Sequence, residues 1–169
     1  MISKKVQDAL NKQINEELAS AYLYLSMEAF FHSAGLDGMA KWMRVQVQEE
    51  LGHAMKFFNF INERDGKVEL FPIAAESHKK WASPLEAFQA SNRHEQYITS
   101  TINELVKLAQ VEKDYAAGIF LQWFVTEQVE EELNTSKVVQ MLERIGESGQ
   151  GLFMADQVLG RRGSKAEGQ

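Results

Sequence analysis

The sequence predicts an all-α fold: a four-helix bundle with one long crossover and a short fifth C-terminal helix. Three observations predict it. Four long segments run without a helix breaker. Two of the links between them are tight and the third is long. Each long segment carries an apolar stripe at helical spacing. Only two prolines occur, Pro72 and Pro84, and both lie at or near the long link.

The first segment runs from Ser3 to Ser33 and stops at Ala34-Gly35. The second runs from Leu36 to Arg64 and stops at Asp65-Gly66. The third opens with Ser83 as N-cap, Pro84 in the first helical position and Glu86 completing a capping box, and runs to Gln110. The fourth starts at the N-cap candidate Asp114 and runs to Ile145 before Gly146. Gly118 inside it is tolerated at some cost. A short fifth segment, Leu152 to Leu159, is apolar on one side through Leu152, Phe153, Val158 and Leu159. The link from Gly66 to Ala82 could reach roughly 55–60 Å when extended, against roughly 43 Å for a helix of the second segment's length. It therefore runs the length of the bundle. Residues 1–160 read as a single domain, and the tail 161–169 as disordered.

The 169 residues suit one domain with one sizeable core, and 44% of them are hydrophobic. No apolar run is long enough to cross a bilayer, so no membrane partner is expected. The start, MISKKVQDALNKQ, lacks the apolar stretch of a secretory signal, which predicts a cytoplasmic protein. A formal net charge of -6 argues against nucleic acid as the main partner. With no cysteine, any metal must be held by carboxylate, imidazole or amide oxygen.

Each apolar stripe is broken near its middle. Leu10, Glu17, Tyr24 and Phe31 follow at seven-residue spacing, which puts Glu17 on the buried face. In the second segment Met43, Val47, Glu50, Ala54, Phe57 and Ile61 share a face, with His53 three residues beyond Glu50. Phe88, Glu95 and Ile102 align in the third. Leu121, Phe124, Gln128, Glu131, Thr135 and Leu142 align in the fourth. The interruptions also match in height. Glu17 lies 18 residues before the turn at Gly35 and His53 lies 18 after it. Glu95 lies 17 before Glu112 and Gln128 lies 16 after it. The bundle should therefore gather Glu17, Glu50, His53, Glu95, Gln128 and Glu131 into one buried cluster. Four carboxylates do not stay ionised together without cations. Two divalent ions would neutralise them, and Glu50 with His53 at i, i+3 can offer oxygen and nitrogen to one ion. This is the di-iron carboxylate pattern of helical bundles.

At these residues the chain resembles the prokaryotic non-haem ferritins. The segments that carry the likeness are LNKQINEELASAYLYLSM, QEELGHAMKFFNFI, HEQYI and LQWFVTEQVEEE, followed by the short fifth helix. The resemblance implies a ferritin-like bundle that stores iron and acts as a ferroxidase on Fe(II) and O2. It also implies a 24-subunit cage of identical chains, with the fifth helix at its fourfold axis. Glu17, Glu50 and His53 would hold one iron. Glu50 would bridge to a second, which Glu95 and Glu131 also bind, and Gln128 would sit beside the pair. Tyr24 would be a nearby phenol that hydrogen-bonds or supplies an electron. Glu49, Glu127 and Glu130 would form a third iron site, with Glu132 solvated. Gln128-x-x-Glu131 stands where bacterioferritin has its second E-x-x-H. Leu51 follows Glu50 where bacterioferritin has its haem-ligating methionine, so haem is not expected. His32, His78 and His94 read as structural or surface residues, and Trp123 as packing. From the residues alone two other classes fit: a di-iron enzyme with an organic substrate, and a metal-free bundle acting in binding.

Overall fold

In the computed structural model, residues 2–73 and 81–163 are described. They form five helices: α1 Lys4–Ser33, α2 Asp37–Glu63, α3 Pro84–Val111, α4 Tyr115–Ile145 and α5 Gly149–Leu159. The helix starts follow from short polar caps that satisfy first-turn N–H groups. Ser3 Oγ accepts from Val6 N, Ser83 Oγ from Glu86 N and Asp114 Oδ1 from Ala117 N. Helix α5 begins three residues before the expected Leu152, because Ser148 Oγ accepts from Gly151 N and draws Gly149 to Gly151 into the helix.

The first three helices end in the same way. Gly35 has φ 72°, and Leu36 N donates to Phe31 O across the turn at 2.9 Å. At the end of α2 the left-handed residue is Asp65, not the neighbouring Gly66, and Gly66 N donates to Ile61 O. At the end of α3 it is Lys113, and Asp114 N donates to Ala109 O. Two of these three stops therefore use a non-glycine residue in the left-handed region, at a cost of roughly 1–2 kcal/mol each.

Phe31 meets Phe88 near one end of the bundle, and Tyr24 meets Glu95 further along, so α1 and α3 are antiparallel. The two hairpins make α2 antiparallel to α1 and α4 antiparallel to α3. Helices α2 and α3 are therefore parallel, and the chain must travel the length of the bundle between them. It leaves along α1, where Gln7 Oε1 and Asn11 Oδ1 accept from Lys67 N and Glu69 N. It re-enters at Trp81, which packs with the apolar cluster at the far end.

The core consists of two apolar clusters. One gathers Phe31, Met39, Trp42, Phe88, Leu142 and Leu159, among others. The other gathers Leu10, Phe57, Ile61, Ile102, Leu121 and Phe124, among others, with Phe57 and Phe124 stacked at 4.1 Å between ring centroids. Between them lies a belt of buried polar side chains from all four long helices: Glu17, Ser20, Gln46, Glu50, His53, Ser91, Glu95, Gln128, Glu131 and Thr135. Helix α5 docks on the start of α2. No side chain next to α2 caps it, and Asp156 Oδ1 of α5 instead accepts from Met39 N at 2.8 Å. Glycines permit the approach: a Cβ on Gly38 would lie 1.8 Å from Asp156 O.

Candidate metal centre

The belt is built from residues that share the core-facing stripe of each helix. Helical spacing supplies the local partners. Gln13 and Glu17 lie one turn apart on α1, and Gln13 Nε2 donates to Glu17 Oε1 at 2.8 Å. Glu50 and His53 lie at i, i+3 on α2, with His53 Nδ1 3.3 Å from Glu50 Oε2 and 3.8 Å from Glu17 Oε2. Glu17, Glu50 and His53 each offer a ligand atom, all within 4.8 Å of one another. Among the described residues this is the one such group of three. Glu17 Oε2 is buried without a hydrogen-bond donor.

Glu95 and Glu131 lie on the α3–α4 side of the belt. Tyr24 OH donates to Glu95 Oε1, which joins α1 to α3. Gln128 Nε2 donates to Glu95 Oε2 and to its backbone oxygen, both at 3.2 Å. Gln46 Nε2 donates to Glu131 Oε2 at 3.0 Å, which joins α2 to α4. All six residues of the expected cluster are thus buried in one layer, with Tyr24 against it.

The electrostatics show carboxylates short of positive charge. Burial, then the charge of Glu50, pushes the Glu17 carboxyl up to about 8. Burial and the charge of Glu131 push Glu95 up to about 7, against the opposing hydrogen bonds from Tyr24 and Gln128. Burial and the charge of Glu95 raise Glu50 well above the usual carboxylate range. Burial and Glu95 also raise the Tyr24 phenol. A cation at the belt would offset the carboxyl shifts by favouring the charged form. The oxygen and imidazole donors suit a first-row divalent ion such as iron.

The three residues expected at a third site stand differently. Glu127 is buried, Glu130 is exposed, and Glu49 is joined to Arg162 at 2.6 Å. Glu132 accepts from Thr99 Oγ1. His94 Nε2 lies 2.7 Å from Ser20 Oγ, with its ring edge-on to Tyr24. His32 sits at the surface beside Asp37, and His78 lies outside the described residues. Trp123 packs on His53 and Phe124, with Lys56 over its ring.

Sequence reasoning missed Gln13 and Gln46, the donors that fix two of the carboxylates. The signal was present for Gln13, four residues before Glu17, but not for Gln46, whose acceptor Glu131 lies 85 residues away on another helix. It also missed Arg162, which carries no periodic signal.

The ferritin-like domain family matches residues 7–145. A bacterial non-haem ferritin of Bacteroides fragilis is 40% identical over 167 residues, covering 96% of this chain and 100% of the relative. One from Campylobacter jejuni is 41% identical, covering 94% of this chain and 95% of the relative. Among solved structures, an open-pore ferritin of the archaeon Archaeoglobus fulgidus superposes with a TM-score of 0.94 at 50% identity. It covers 96% of this chain and 100% of that one.

Proposed function

Because the chain belongs to the ferritin family, we propose that it oxidises Fe(II) with O2 at the buried belt and stores the ferric product inside a 24-subunit cage. The observation that carries the reading is the buried group of Glu17, Glu50 and His53, whose ligand atoms lie within 4.8 Å of one another. These three take one Fe(II). Glu50 also faces the second Fe(II), which Glu95 and Glu131 bind. Gln128 stands beside the pair, and Tyr24 orients Glu95. Glu49, Glu127 and Glu130 form the third iron site of the same proposal. A cytoplasmic location and the absence of haem belong to it too.

The side chains do three things. They neutralise charge, since incoming iron takes the place of protons held by Glu17 and Glu95. They fix two ions near one another, so that two Fe(II) each give one electron to a single O2. With two protons the O2 leaves as hydrogen peroxide and the irons as Fe(III), and free superoxide is avoided. Their hard oxygen donors favour Fe(III) over Fe(II), which promotes the oxidation.

The test is to add Fe(II) in air, pass the protein through a sizing column and measure the iron that stays with it. Iron far beyond what three sites hold, eluting with a large shell, is expected. About two irons on a small oligomer would overturn the storage reading in favour of a di-iron enzyme.

A further inference from the structure

Arg162 belongs to none of the four long helices, yet its side chain is largely enclosed. The turn after α5 delivers it, with Arg161 N and Arg162 N donating to Val158 O and Leu159 O. Its Nη2 donates to Glu49 Oε2 at 2.6 Å, and the two side chains are only 16% and 9% exposed. The guanidinium carbon lies 4.3 Å from the centroid of the Trp42 ring. Nη1 is buried with no hydrogen-bond partner among the described residues. Away from water, this cation is held by one carboxylate and one aromatic face.

We propose that Arg162 is an internal competitor for metal at Glu49. The inference rests on the reading of Glu49 as a ligand of the third iron site. A lone pair of Oε2 that accepts the guanidinium proton is not available to a metal ion. Two cations placed against the same carboxylate also repel strongly where water is scarce. Metal reaches Glu49 by displacing Arg162, and the displaced guanidinium gives up both its carboxylate and its aromatic contact. The competitor is held in place from a distance. Asp156 caps α2 through Met39 N, and Gly160 packs against Gly38, so the turn that carries Arg162 is anchored one helix end away from Glu49. By linkage, metal at Glu49 and the seating of this turn oppose each other by the same factor in both directions. The consequence is a third site that holds iron weakly and lets it move on, while the Glu17, Glu50 and His53 group is untouched.

The experiment uses the whole assembled protein and Zn(II), a redox-inert probe. Zn(II) occupancy at each site is read by anomalous scattering over a concentration series, in wild type, Arg162→Gln and Arg162→Lys. The glutamine variant should bind Zn(II) at Glu49 roughly tenfold more tightly. The lysine variant should fall between, because an ammonium keeps the charge but not the planar fork. Occupancy at Glu17, Glu50 and His53 should not change, and it reports that the fold is intact. If the glutamine variant loses that occupancy, the lysine variant decides: tighter binding at Glu49 than wild type supports the proposal, and equal binding overturns it. Equal occupancy at Glu49 in all three proteins would overturn the competition and leave the third site standing. Zn(II) at Glu49 in none of them would remove the third site, and the proposal with it.

Discussion

Glu17 holds a proton at neutral pH because burial and Glu50 leave its charge uncompensated. Metal binding must therefore expel protons. Zn(II) added to the metal-free protein in weak buffer should release protons at pH 6 to 7, followed with an indicator dye. The yield should fall as pH rises past about 8, where Glu17 is already ionised. Pairing of Zn(II) with unchanged, protonated carboxyls would give no release at any pH. Glu50→Ala removes the residue that the proposed function has facing both ions. It should abolish fast Fe(II) oxidation while the far-UV circular dichroism stays helical, and wild-type rates would refute the assignment. These residues were legible because a carboxylate on an apolar stripe contradicts its surroundings, and four contradictions at one height have one cause. The Glu49–Arg162 and Met39–Asp156 contacts were not legible. Their partners lie 113 and 117 residues apart, and no period connects them.

At the scale of elements, the four long helices were readable from the 3.6-residue period and their capping residues. The start of α5 was not, because Gly-Gln-Gly resembles a loop until Ser148 is seen to cap it. The left-handed stops at Asp65 and Lys113 carry no sequence signal of their own, since neither residue type dictates that conformation. The docking of α5 yields two expectations. Asp156→Ala leaves the Met39 N–H unsatisfied at the start of α2 and should cost about 1 kcal/mol or more in chemical denaturation. Gly38→Ala should cost more than that, because its methyl group would meet the Asp156 backbone at 1.8 Å and α5 would have to lift away. Equal stability of Gly38→Ala and wild type would mean that α5 is not seated there.

For the molecule as a whole, the raised carboxyls make metal-free stability depend on pH. A carboxyl whose folded value exceeds its unfolded value stabilises the fold in full below the unfolded value, and that contribution is lost as pH rises through the folded one. Glu17 and Glu95 rise from 4.5 to about 8 and about 7, so the loss falls between those limits. The melting temperature of chelator-treated protein should drop across that window, and saturating Zn(II) should flatten the profile. A metal-free profile that is already flat would contradict the raised carboxyls of Glu17 and Glu95. The belt also separates the two apolar clusters, and this separation bears on how the sequence can change. A well-packed apolar layer in place of buried ionisable groups is often neutral or stabilising. Under laboratory selection for heat resistance without metal, leucine and methionine should therefore accumulate first at Glu17, Glu50, Glu95 and Glu131. Each such gain would fuse the two half-cores and erase the chemistry. On the proposed function, robustness and activity thus compete for the same few positions, and selection for metal oxidation is what would hold the acidic layer in place.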